Sequence, residues 1–399
     1  MSAPQAITIL GATGSIGTQT LDVIARHPQH FSVFALSAHS NADLLFKQCQ
    51  AYVPRYAVIG ESAYAPLKLR FQQAGLSTQL LCGQQALADI ACHQDVSQVV
   101  AGIVGGAGLR SIHAAVNAGK RLLLANKESL VMTGELLLQT AQKTGASILP
   151  LDSEHNALFQ CLPSAQGFRE KTLAEAGVAK LLLTGSGGPF RQTPLSELAD
   201  KTPAEACCHP NWCMGRKISV DSATMMNKGL EYIEAKLLFA AQDSELDIII
   251  HPQSIVHSLV QYRDGTSLAQ IGHSDMRVPI AYALSYPKRI SSGVGDIDLS
   301  QHTLSFESVD YRRYPCLKLA IDLANDNVKT TVMNAANEVA VAAFLAQKIQ
   351  FGQIYRVVAD CVTLDFEGIT TINSVDDVLH LDAVARRAAK NSIEHQLNR

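Results

Sequence analysis

The 399 residues, 47% apolar and 17% charged, suffice for two or three domains with large cores and exclude a disordered chain. Thirty-three basic against 36 acidic side chains give a net charge of −3, which argues against nucleic acid or an anionic membrane as the main partner. Nine cysteines without a C-x-x-C spacing, and no apolar run near the ~18–20 residues that cross a bilayer, fit a soluble cytoplasmic chain with reduced thiols. The apolar run up to Leu10 has no basic residues before it and leads straight into Gly11, so it reads as a first strand and not a signal peptide.

In chain order, residues 1–150 alternate β-rich runs with helical stretches. Strands are expected at Ile7–Leu10, Phe31–Ala35, Tyr56–Ile59, Val99–Val104, Arg121–Ala125 and Ile148–Leu151. Val99–Val104 and Leu122–Ala125 are apolar on consecutive residues, as in strands covered on both faces by helices. The expectation is an α/β, doubly wound, Rossmann-like N-terminal domain. Residues 151–287 read as a central α+β catalytic domain. Its strands are Lys180–Thr184, Asp247–His251, Ser254–Tyr262 and Ser267–Ile271, with a helix over Gly229–Ala241 and a hairpin turning at Arg263–Thr266. Residues 288–312 read as a linker and 313–399 as a C-terminal helical domain. In that domain Pro315 opens one helix, and Ser374 with Asp377 forms a capping box for another.

Gly11, Gly14 and Gly17 follow the first strand and precede a helical pattern. This G-x-x-G-x-x-G spacing allows a tight turn and lets backbone N–H groups approach a pyrophosphate at a helix N-terminus. A glycine-rich turn can also be purely structural; its place in the first βα unit favours a dinucleotide. After the second strand the chain reads Ala38-His39-Ser40-Asn41, with no carboxylate for a ribose 2′-hydroxyl, which favours NADP over NAD.

Asp152-Ser153-Glu154 follows a strand, and residues two apart on an extended strand face one side, so both carboxylates could aim at one ion. Glu231 is a candidate third ligand, and an all-carboxylate set suits Mg²⁺ or Mn²⁺. The competing reading is a solvated strand end. Thr184–Pro189 could wrap an anion with Ser222, Asn227 and Lys228 supplying further donors, or be an ordinary turn. Asn126-Lys127-Glu128-Ser129 lies where sheet-edge ligand sites form, though a Lys–Glu pair there could equally be a salt bridge. Cys207, Cys208, His209 and Cys213 lack zinc spacing.

These motifs closely resemble the 1-deoxy-D-xylulose 5-phosphate reductoisomerases. The matching stretches are Gly11–Gly17, Leu124–Ser129, Asp152–Asn156, Leu183–Phe190, His209–Gly215, Ser219–Glu231 and His251–Ser254, spread over essentially the whole chain. The resemblance implies a cytoplasmic homodimer of the non-mevalonate isoprenoid pathway. Such an enzyme isomerises 1-deoxy-D-xylulose 5-phosphate and reduces the product with NADPH to 2-C-methyl-D-erythritol 4-phosphate. It implies that Asp152, Glu154 and Glu231 hold a divalent ion (Mg²⁺ or Mn²⁺, with Co²⁺ a further candidate), and that they and Lys127 are catalytic. By the same resemblance Ser186, His209, Ser222, Asn227 and Lys228 gather the substrate phosphate region, and Lys127 and Ser153 contact substrate near the metal. Thr13, Gly14, Ser15, Ile16, Ser40, Asn41, Asn126, Glu128 and Gly215 are then expected at NADPH, and Trp212 and Met214 on a mobile flap. One departure stands out: many family members carry Gly-Lys-Asn where this chain has His39-Ser40-Asn41, so a lysine for the 2′-phosphate is missing. Two further readings compete: an ordinary NADP-dependent dehydrogenase without rearrangement, and a non-enzymatic dinucleotide sensor.

Overall fold

The computed structural model describes residues 3–163, 172–212, 214–366 and 368–397. By its internal contacts the chain divides into two compact units. The first comprises residues 1–129, 137–156 and 275–295; the second comprises 130–136, 157–274 and 296–399. In this grouping the C-terminal helices fall with the central residues, and residues 275–295 with the first unit.

The first unit is a seven-stranded, wholly parallel sheet in the order β4-β3-β2-β1-β5-β6-β7. Its strands are β1 (Gln5–Leu10), β2 (Phe31–Ser37), β3 (Tyr56–Ile59), β4 (Gln79–Cys82), β5 (Gln98–Ala101), β6 (Arg121–Leu124) and β7 (Ser147–Pro150). Strand order reverses between β1 and β5, the switch point at which open α/β sheets bind ligands. Ile7, Ile9, Leu10, Leu36, Ile59 and Leu122 are fully buried, as expected of strands covered on both faces. Residues 275–295 return to this unit, where Arg277 bonds Asp275 at 2.7 Å and Asp22 of helix Ser15–Arg26 at 3.1 Å.

The second unit holds a mixed five-stranded sheet in the order β11-β10-β8-β9-β12. These strands are β8 (Val178–Gly185), β9 (Leu246–Ile250), β10 (Val256–Tyr262), β11 (Ser267–Ile271) and β12 (Glu307–Ser308). The hairpin β10–β11 turns as expected, with the Gly265 φ of 88° at its tip. The expected linker 288–312 contains β12, which pairs antiparallel with β9. Helices Pro315–Leu323, Asn327–Leu345, Phe351–Val362 and Val375–Leu397 follow, and the last opens on the Ser374–Asp377 capping box. Phe344, Phe351 and Phe190 anchor this core, the latter two edge to face at 5.2 Å and 85°. Among the described residues no helix is long and apolar enough to cross a membrane.

Candidate active site

In the first unit the glycine turn has the geometry its spacing implies. Gly11 adopts φ +83°, and a Cβ there would lie 2.9 Å from the Gly102 carbonyl. At Gly17 a Cβ would lie 2.4 Å from both the Ala12 Cα and the Gly11 oxygen. Only glycine lets helix Ser15–Arg26 start this close to the strand, with Thr13, Gly14, Ser15 and Ile16 at its N-terminal end. At the end of β2, Asn41 Oδ1 accepts from Leu44 N–H at 3.1 Å and caps helix Ala42–Tyr52, and Ser40 lies just before it. Asn126 is buried; its amide nitrogen donates to the Ile103 and Gly105 carbonyls, and its Oδ1 accepts from Ser129 N–H at 3.1 Å. Glu128 is likewise buried in the helix Lys127–Thr133.

The strand reading of Asp152-Ser153-Glu154 is corrected. β7 ends at Pro150, and Ser153 begins the helix Ser153–Cys161. The Asp152 carbonyl accepts the first helical bond, from Asn156 N–H, and Glu154 lies in the first turn. The two carboxylates converge because they share a helix start, with ligand oxygens within 4.8 Å of one another. Burial alone would raise the Asp152 pKa. The Lys127 ammonium at 2.6 Å and His155 Nδ1 at 3.3 Å from the carboxylate outweigh it and hold Asp152 well below the usual range. Ser153 Oγ donates to Glu154. Asp152 and Glu154 offer carboxylate oxygens, a donor set that fits a hard divalent cation.

The second unit carries the anion-like cup. Helix Met226–Leu238 starts three residues earlier than expected, which moves Asn227 and Lys228 into its first turn, where both donate to Glu231. Lys228 and Glu231 are 3% and 1% exposed, so these charges are buried together. The helix can seat there because Gly229 packs on helix Pro315–Leu323; a Cβ would lie 2.5 Å from Ala320 Cβ. Gly185, at the end of β8, would bring a Cβ to 3.1 Å from Lys228 Cε, and Gly188, at φ +70°, one to 2.5 Å from the Ser222 carbonyl. The strand end, Ser186, Ser222 and Lys228 thus lie close together as a cup of donors, and the Tyr314 hydroxyl holds the loop by donating to the Gly187 carbonyl at 2.8 Å.

His209 stands beside this cup, its Nε2 at 3.0 Å from Ser186 Oγ. Burial pushes its pKa down to about 4. Trp212 is half-buried, its N–H bonded to His209 Nδ1 at 3.0 Å and its ring 6.1 Å from that of His257. Met214 is half-buried too, and Gly215 caps helix Arg216–Ala223. Cys213 lies outside the described residues. Cys207 and Cys208 are free thiols, and among the described residues no group of three metal-ligating side chains contains a cysteine. Sequence reasoning assigned no role to His155 or His257. His155 was detectable from its i+3 spacing to Asp152 once the segment is read as a helix; nothing local marks His257.

Comparison with known proteins decides the family. Three models described as 1-deoxy-D-xylulose 5-phosphate reductoisomerase, and its C-terminal domains, match residues 7–134, 148–239 and 271–388. The chain belongs to the 1-deoxy-D-xylulose 5-phosphate reductoisomerase family. It is 54% identical to the reductoisomerase of Saccharophagus degradans, covering 96% of this chain and 97% of that one. It is 53% identical to that of Pseudomonas fluorescens Pf0-1, covering 98% of each. A crystal structure of a family reductoisomerase in complex with NADPH, fosmidomycin and magnesium superposes with a TM-score of 0.91 at 45% identity, over 98% of both chains. The Zymomonas mobilis reductoisomerase in complex with NADPH gives 0.89 at 42%, covering 99% of this chain and 100% of that one.

Proposed function

We propose that this chain converts 1-deoxy-D-xylulose 5-phosphate to 2-C-methyl-D-erythritol 4-phosphate, using NADPH and a divalent metal ion. The observation that carries the reading is full-length identity above half to reductoisomerases, supported by a glycine turn, a carboxylate pair and the close approach of Gly185 to Lys228 and of Gly188 to Ser222. Asp152, Glu154 and Glu231 would hold Mg²⁺ or Mn²⁺. When bound, the ion supplies Lewis acidity for the ketone and its neighbouring hydroxyl, and NADPH supplies hydride.

The protein's own residues do the rest. Ser186, Ser222, Asn227, Lys228 and His209 grip the phosphate, and that remote binding energy orients the reacting carbons. Lys127 keeps Asp152 ionised and, with Ser153, contacts the substrate beside the metal. Thr13, Gly14, Ser15, Ile16, Ser40, Asn41, Asn126, Glu128 and Gly215 hold the dinucleotide. Trp212 and Met214 cover the substrate and exclude water before hydride transfer. In domain terms the N-terminal sheet binds NADPH, and the central residues bind metal and substrate and form the dimer. The enzyme works as a homodimer in the cytoplasm; the eight free thiols among the described residues support the reducing compartment.

The test is loss of NADPH absorbance with the deoxyxylulose phosphate, with and without Mg²⁺. Turnover that needs the metal and yields the branched product supports the reading. Metal-independent oxidation of simple alcohols would point to an ordinary dehydrogenase, and NADPH binding without turnover to a sensor.

A further inference from the structure

Two hydrogen bonds at His209 determine where its proton sits. The backbone N–H of Asn211 and that of Trp212 both point at Nδ1, at 3.2 and 3.0 Å. A nitrogen that accepts two N–H groups cannot carry a hydrogen, so the neutral ring bears its proton on Nε2. Nε2–H therefore donates to Ser186 Oγ at 3.0 Å. That oxygen also accepts from Gly188 N–H at 3.1 Å. A serine hydroxyl has two acceptor sites and one proton. With both acceptor sites filled, the Ser186 proton has only outward directions left, which suits an anion.

The turn that makes this arrangement has its own fastening. Asn211 is exposed, yet its Nδ2 donates to the Pro252 carbonyl at 2.6 Å and to Ser254 Oγ at 2.9 Å. Ser254 is held ready in a left-handed backbone conformation, φ 53°. An exposed side chain that donates twice to one loop makes a specific tie rather than surface decoration.

We propose that Asn211 is a positioning residue for phosphate recognition: its tie to Pro252 and Ser254 holds the 209–212 turn, which fixes the His209 tautomer and so turns Ser186 into an obligate donor. The proposal deepens the reading of this cup as the substrate-phosphate site. It also joins the flap residue Trp212 to that site through a single imidazole, since the same ring accepts the Trp212 N–H.

The experiment uses full-length protein with ¹⁵N-labelled histidine, alongside steady-state kinetics. In the wild type, His209 nitrogen shifts should be those of the Nε2–H tautomer from pH 8 down to 6, with inorganic phosphate leaving the tautomer unchanged. Asn211→Asp places an oxygen where the amide donor faces the Pro252 carbonyl. It should give a tautomer mixture at His209 and raise the KM for the sugar phosphate about tenfold, with the KM for NADPH unchanged. Ser254→Ala keeps the Pro252 bond and should fall between. The spectra need no turnover, so they stand even if the reductoisomerase reading fails. An Asn211→Asp enzyme with a wild-type His209 spectrum, or one whose KM values for both substrates rise alike, would overturn the proposal.

Discussion

Gly188→Ala tests the anion cup at its tightest point. Gly188 adopts φ +70°, a region that costs an alanine about 1–2 kcal/mol. The added Cβ would stand 2.5 Å from the Ser222 carbonyl oxygen, where ordinary contact begins at 3.4 Å, so loop and helix end must separate by 3.4 − 2.5 = 0.9 Å. The two costs differ in kind. The backbone term lowers stability, by roughly 2–8 °C in Tm at about 2–4 °C per kcal/mol. The displacement moves Ser222 and Ser186 apart at the proposed phosphate site, and a misplacement of about 1 Å can cost on the order of a hundredfold in rate. The expected result is a modest drop in Tm, a fall of about a hundredfold in kcat/KM for the deoxyxylulose phosphate, and an unchanged KM for NADPH. Calorimetry and the NADPH absorbance assay on the same samples check it. A variant that melts and turns over like the wild type would show that the glycine is not required by Ser222, and that the cup is looser than its contacts indicate.

Gly17→Ala, usually favourable in a helix, should instead weaken NADPH binding and lower Tm, because backbone atoms stand 2.4 Å from the new Cβ; fluorescence titration of NADPH reads it. Glu231→Gln should abolish turnover at saturating Mg²⁺ while NADPH titration stays near normal, and normal rates at low Mg²⁺ would remove Glu231 from the metal set. Trp212→Ala should depress kcat with little change in Tm, since the ring is only half-buried; a loss of several kcal/mol in denaturant unfolding would return it to the core. Stability should fall as pH drops from about 6.5 toward 4. Burial holds His209 and His257 near 4, so between those values the unfolded chain takes up protons that the folded one refuses. Urea unfolding at pH 7.5 and pH 5 measures this, and His257→Gln should flatten the slope.

Most of the architecture was written in local patterns. The consecutive apolar residues of β5 and β6 announced a sheet covered on both faces, and Gly11, Gly14 and Gly17 announced the turn between β1 and its helix. Where the reading slipped, a competing signal was present but under-weighted. Pro150 has no N–H and closes β7, and Asp-Ser-Glu after it is a helix-opening sequence, with an acid before the helix and another in its first turn. The carboxylates were identified, but the geometry that joins them was wrong. β4 offers only Leu80 and Leu81 between a glutamine and a cysteine, a weaker apolar run than the equally short β3, and β12 has only two residues. The tie from Asn211 to Ser254 spans 43 residues and rests on a carbonyl and a hydroxyl, groups every loop offers, so no sequence pattern could reveal it.

The return of residues 275–295 to the first unit sets an order of events during synthesis. The ribosome delivers β1 to β7 and the helix start at Asp152, yet Arg277, which binds Asp22, is still to come. From residue 156 to residue 275 there are 119 residues to add, roughly 6–24 s at about 5–20 residues per second. Throughout that interval the parallel sheet exists without its last segment, while the strands of the other unit are emerging. A message truncated after residue 156 would therefore leave an unfinished sheet domain, and NADPH in the cell would have less to stabilise.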